Sequence, residues 1–152
     1  EYNAERNGFI TPIYPYRDYP FAGAQSYFSG GADVSCSIYD MGLFAQMLLN
    51  DGALGEVRIL SSRAVEMMKT VQSPHNWWDW DGGLSLSIRT QAGAAHGPFS
   101  EGSYGWGGFW DTYCWVDPSH DLIAILFLQM YPNNEYKIHE KFEQITYKYI
   151  ND

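Results

Sequence analysis

Along SCSIYDMGLFAQMLLNDG, apolar side chains return at Met41, Phe44, Ala45 and Leu48, the i, i+3, i+4, i+7 spacing of one buried helical face. Ser37 with Asp40 three residues on reads as a capping arrangement, and Gly52 supplies the stop. In EVRILSSRAVEMMKT, Ser61 suits a helix N-cap, and Leu60 and Val65 sit where a hydrophobic staple places them, which predicts a second helix over about 62–70. QSPHNWWDWDGG then reads as a polar and aromatic loop. LSLSIRT alternates, with Leu84, Leu86 and Ile88 on one side and Ser85, Ser87 and Arg89 on the other, the pattern of a half-buried strand. After the small-residue loop QAGAAHGPFSEG, strands are expected near 102–108, 111–117 and 121–130. The last is apolar on both faces and is therefore expected at the centre of the sheet. DPSHD at Asp117 to Asp121 is a turn, so its flanking strands pair antiparallel. Ile138, Phe142, Ile145 and Tyr149 form one stripe of a C-terminal helix laid across the sheet.

The fold class expected from this order is α+β, an antiparallel sheet flanked by helices. Residues 1–34 carry Pro12, Pro15 and Pro20 with Gly23, Gly30 and Gly31 and follow neither period, so they read as an irregular segment lying over a neighbouring surface. A helical and loop region over 35–101 follows, then strands and the terminal helix over 102–152. At 152 residues the chain has the length of one domain.

Nine Lys and Arg against 18 Asp and Glu give a formal charge of −9, which repels a phosphate backbone and argues against nucleic acid as a partner. The longest apolar run, Leu122 to Leu128, falls far short of the roughly 18 residues of a membrane-spanning helix. EYNAERNGF lacks the basic start and apolar centre of an export signal. Cys36 and Cys114 stand in no metal-binding spacing. Two buried free thiols are the preferred reading, with a disulfide between them as the alternative.

The block GSYGWGGFWDTYCWVDPSHDLIAIL, preceded by GGADVSCSIYDMGLFAQMLLNDG and GEVRILSS, resembles the C-terminal part of the serine β-lactamase, DD-peptidase and penicillin-binding-protein-like esterase superfamily, in its class C-like branch. The likeness covers about residues 28–150. In that family one strand bears Lys-Thr-Gly or His-Thr-Gly, replaced by Trp-Gly-Gly in some esterase-like members, and forms a wall of the acyl-binding cleft. Trp106, Gly107 and Gly108 hold that place here, which implies a substrate-binding role, and the backbone N–H of Phe109 is implied as one of two oxyanion donors. Chemistry agrees with the motif: acyl transfer needs N–H donors about 3 Å from a developing oxyanion, and glycine lets an acyl group approach the backbone. Trp106 supplies neither the charge of lysine nor the titrating ring of histidine, which favours esterase-like over carboxylate-recognising chemistry.

The family's nucleophile and base lie in Ser-x-x-Lys, where one helical turn sets the amine beside the hydroxyl. Lys69, Lys137, Lys141 and Lys148 are preceded three residues earlier by Glu66, Asn134, Ile138 and Ile145. The expectation is therefore that this sequence is the C-terminal part of a longer serine hydrolase, inactive alone, with the missing N-terminal segment as its partner and a small acyl compound as substrate. No cofactor is implied. Family members are often periplasmic or secreted.

Other candidates are weaker. Tyr131, Pro132 and Asn133 match Tyr-x-Asn but follow the motif strand, and turn chemistry explains them. His75, His96, His120 and His139 form no metal-binding spacing. Ser103 is no nucleophile elbow, since Glu101 stands where glycine is needed. The run from Asn76 to Asp81 fits a glycan or flat-ligand surface or, as preferred, a cover for the core. The second function class is accordingly a non-catalytic interaction domain whose aromatic cleft takes a peptide, glycan or partner protein.

Overall fold

The computed structural model of the chain describes residues 34–77, 80–130 and 137–150, those at 75–77 through their backbone alone, and the backbone of two short paired strands, β1 (Tyr2–Asn3) and β2 (Gly8–Phe9). The segment expected to be irregular at 1–34 and the Tyr131 to Asn133 turn fall almost wholly outside them.

Helix α1 (Ile38–Leu49) begins at a full capping box. The Ser37 hydroxyl accepts from the Asp40 N–H at 3.1 Å while the Asp40 carboxylate accepts from the Ser37 N–H at 3.2 Å. It ends at Gly52, whose φ of 98° and close approach to the Leu60 carbonyl exclude a side chain. A small hairpin of β3 (Ala53–Leu54) and β4 (Val57–Arg58) leads to α2 (Ser62–Lys69), capped by the Ser61 hydroxyl. Val65 of α2 is completely buried and joins Ala45, Met47 and Leu48 of α1 in the first core cluster. Phe44, expected on that face, is instead exposed, and Met47 takes its place.

One six-stranded antiparallel sheet carries the rest, in the order β10-β9-β8-β7-β6-β5. Its members are β5 (Ser73–Trp77), β6 (Trp80–Gly82), β7 (Ser87–Arg89), β8 (Tyr104–Gly107), β9 (Thr112–Asp117) and β10 (Leu122–Phe127). Several expectations need correction. QSPHNWWDWDGG is not a loop but the paired strands β5 and β6. LSLSIRT is a strand only from Ser87. Ser85 takes φ 61°, Leu84 turns outward, and Arg89 is buried beneath the rings of Trp80 and Phe99, each centroid 4.3 Å from its guanidinium carbon. QAGA forms a short helix, α3 (Gln91–Ala94), capped by Thr90.

β10 lies at the sheet's edge among the described residues, not at its centre. Its two apolar faces have another cause: α1 covers one and the terminal helix α4 (Ile138–Ile150) the other. α4 follows the expected stripe only in part: Phe142 packs on Trp115, but the inward face is turned from the rest of the stripe. Ile145 and Tyr149 face solvent, while His139, Glu143 and Tyr147 face β9. Four helical residues advance about 6 Å and two strand residues about 6.7 Å, so this i, i+4, i+8 row runs in step with Tyr113, Trp115 and Asp117. Both cysteines are free thiols; Cys36 is exposed rather than buried, and Cys114 is half-buried with its thiol pushed up to about 11 by burial.

Candidate active site

β8 is held on both sides but unequally. Opposite β9 it pairs from Tyr104 with Val116 to Gly107 with Tyr113, and the Gly108 N–H continues the ladder to the Thr112 carbonyl at 2.8 Å. Opposite β7 the pairing stops at Gly105 with Ser87, because the chain bends away through Leu84 to Leu86. Antiparallel neighbours alternate in the edge to which their N–H and C=O point. With Gly108 bonded to β9, Gly107 directs its backbone groups to the other edge, where β7 has ended. Trp106 and Phe109 flank this gap, 57% and 64% exposed. Trp106 shares the face of Cys114 and the first core cluster, the side of α1 and α2.

Local sequence explains the gap. Gly108 to Thr112 is a hairpin with three loop residues: the Asp111 N–H donates to the Gly108 carbonyl at 3.0 Å and Asp111 takes φ 71°. A side chain on Gly105 would strike the Cys114 carbonyl and the Trp115 backbone, so strand crossing there demands glycine. At Gly107 a Cβ would meet nothing nearer than 3.4 Å, and at Gly108 it would meet the Thr112 hydroxyl. The bare edge at Gly107 therefore reflects an open approach, not tight packing beneath it.

An apolar hollow of about 310 Å³, lined by Leu43, Phe44, Met47, Leu54, Ile59 and Leu60, shares no residue with the motif strand. Among the described residues no cluster of His, Cys, Asp and Glu could hold a metal, and no helix is long and apolar enough to cross a membrane. Of the aromatic run from Asn76 to Asp81, Trp80 packs edge-on against Phe99 at 5.2 Å, which is the core-covering role; Trp77 and Trp78 fall outside the described side chains.

A serine, a histidine and an aspartate that sequence spacing did not connect meet at the far end of β9. Asp117 is fully buried and accepts from Tyr147 Oη at 2.7 Å, Ser100 Oγ at 2.8 Å and the Ser119 N–H at 3.0 Å, with His120 Nδ1 at 3.0 Å. This is not a nucleophilic triad. The Ser100 hydroxyl binds the carboxylate directly, and Nδ1 of His120 faces both partners, so no base stands between them. Burial opposes ionisation of Asp117, but the hydrogen bonds from Tyr147, Ser100, His120 and Ser119 outweigh it and hold its carboxyl below the usual range. The group pins α4 and the loop at Ser100 to β9. Ser103, expected to be strand or turn structure, is completely buried beside β8.

Comparison with known proteins bears on this geometry. A family model described as Beta-lactamase matches residues 3–145. Protein Rv1367c of Mycobacterium tuberculosis is 31% identical over 128 residues, covering 75% of this chain and 32% of its own length, so the chain spans about a third of that relative. Among solved structures, EstCE1, a hydrolase with promiscuous acyltransferase activity, aligns with TM-score 0.59 at 18% identity over 71% of this chain and 29% of its own. Unliganded simvastatin synthase (LovD) from Aspergillus terreus aligns with TM-score 0.57 at 20% identity over 72% and 34%. A beta-lactamase from Mycobacterium bovis aligns with TM-score 0.54 at 18% identity over 75% and 44%.

Proposed function

Because this chain belongs to the beta-lactamase family, we propose that the edge at Trp106, Gly107, Gly108 and Phe109 is one wall of an acyl-transfer cleft in a serine hydrolase. Gly107 offers its backbone to the bound acyl group, the Phe109 N–H serves as an oxyanion donor, and Trp106 forms an apolar side wall. The observation that carries this reading is the unequal pairing of β8, which continues to Gly107 against β9 but stops at Gly105 against β7. Preorganised N–H donors on a rigid strand end are what a developing oxyanion requires. With tryptophan where the family's cation stands, the preferred substrate is an uncharged ester.

The nucleophile and its base come from sequence outside these 152 residues, in which no lysine follows a serine at the needed spacing. Two features support a missing partner segment. Among the described residues β10 has an open outer edge, and Ile38, Tyr39, Phe44, Val57 and Ile59 are exposed on α1 and the hairpin beside it. Reading the coding sequence upstream of Glu1 tests this: Ser-x-x-Lys followed by Tyr-x-Asn is expected, and an unrelated domain there would overturn it. The 152-residue chain itself should turn over neither chromogenic β-lactams nor nitrophenyl esters and take no fluorophosphonate label. An interaction domain is the second reading, favoured by the exposure of Trp106 and Phe109; saturable quenching of tryptophan fluorescence by a peptide or glycan, with no upstream nucleophile, would establish it.

A further inference from the structure

The turn that carries Phe109 is tied to the C-terminal helix. Nε2 of His139, in the first turn of α4, lies 3.0 Å from Oδ1 of Asp111, the left-handed residue of the Gly108 to Thr112 hairpin. The approach is oblique, so it is a close polar contact and not an aligned hydrogen bond. His139 is in turn held flat against Tyr113, ring centroids 4.7 Å apart and planes 18° from parallel. Tyr113 Oη donates to Glu143 one helical turn further along α4 at 2.8 Å. Two successive turns of one helix thus grip the strand that leaves the hairpin, and one of them reaches the hairpin itself.

We propose that His139 and Asp111 are a positioning pair that fixes the Gly108 to Thr112 turn and with it the direction of the Phe109 N–H. For catalysis this rests on the acyl-transfer reading above; for the turn it does not. The backbone alone leaves the turn under-determined. A non-glycine residue at φ 71° is disfavoured, and aspartate tolerates it better than most without preferring it. The side chain of Asp111 is mostly buried, so its carboxylate is not spread into solvent, and the imidazole beside it sets where the turn sits relative to α4. A small rotation of that turn swings Phe109, its first loop residue, while β8 stays in place.

The pair can be broken from both sides in ¹⁵N-labelled protein. In His139→Gln and Asp111→Gly, exchange of the Gly108 and Asp111 amides, both donors within the turn, should speed up at least about tenfold. The Phe109 amide resonance should move, and the Ile88 and Val116 amides should stay as they are, showing that the sheet is intact. Asp111→Gly separates the possibilities, since glycine adopts φ 71° freely: if backbone preference alone held the turn, this variant would hold it better. Unchanged exchange in both variants overturns the proposal. In the longer protein, the same variants should lower kcat for a nitrophenyl ester about tenfold with KM kept. Amides that respond in a protein without any ester turnover would uphold the positioning pair while removing the acyl-transfer reading.

Discussion

Asp117→Asn is the substitution whose cost can be worked most fully from contacts. The carboxylate receives Tyr147, Ser100 and His120 on Oδ2 and the Ser119 N–H on Oδ1. Asparagine keeps the volume, but only one of its two polar atoms accepts. If its oxygen takes the Oδ2 position, three charge-assisted bonds become neutral, each losing about 1 kcal/mol, and the Ser119 N–H faces an amide donor. The expected loss is about 3–4 kcal/mol at pH 7, or roughly 6–16 °C in Tm for a chain of this size. Urea denaturation followed by tryptophan fluorescence measures it, since Trp115 is fully buried against Tyr147 and Phe142. The folded carboxyl is depressed below its unfolded value of about 3.9, so its contribution is complete above that pH and is lost as pH falls through the folded value. The gap between the two proteins should be level from about pH 5 to 7 and close below about pH 4. A variant within about 0.5 kcal/mol of the parent at pH 7, or a gap that persists in acid, would refute the assignment of Asp117 as the rivet of α4.

Gly105→Ala should destabilise by about 3 kcal/mol, because its Cβ meets strand backbone that cannot move aside, whereas Gly107→Ala should fold with little change; thermal denaturation of the pair checks both. In the folded protein a disulfide reagent should modify exposed Cys36 quickly and Cys114, whose thiol burial pushes up to about 11, only slowly, so that one thiol reacts in the fast phase and the second appears on unfolding.

Local signals carried much of this architecture. Ser37 with Asp40, the N-cap at Ser61 and the turn at Asp117 to Asp121 each name a boundary through a hydrogen bond or a steric need close in sequence, and each stands where expected. What failed depended on partners distant in sequence. The sequence from Ser73 to Gly82 shows no alternation, and β5 and β6 are strands through the ladder between them, which periodicity does not register. Arg89 reads as a solvent residue until Trp80 and Phe99 are known to enclose it. The α4 stripe placed Phe142 correctly but missed Ile145 and Tyr149, because the rest of the inward row is polar and aromatic: Glu143 and Tyr147 find hydroxyl and carboxylate partners on β9, which apolar periodicity does not register. β10 looked central because two helices give an edge strand two covered faces. At the site, Trp106 to Phe109 were legible as a motif, but the early end of β7 that opens the edge was not, since it follows from the bend at Ser85. The pairing of His139 with Asp111 joins residues 28 apart and had no sequence signal at all.

If the Phe109 N–H stabilises an oxyanion, removing it with a proline must slow acyl transfer. Phe109 is the first loop residue of the hairpin, a position where proline suits a turn, so Phe109→Pro deletes the donor, and circular dichroism checks that the variant folds. Phe109→Ala removes the ring and keeps the donor. In the longer protein carrying this sequence, kcat for a nitrophenyl ester should fall about 10²- to 10³-fold in the proline variant, while the alanine variant stays within a few-fold of the parent. Equal activities in the proline and alanine variants, both folded, would rule out the Phe109 N–H as an oxyanion donor.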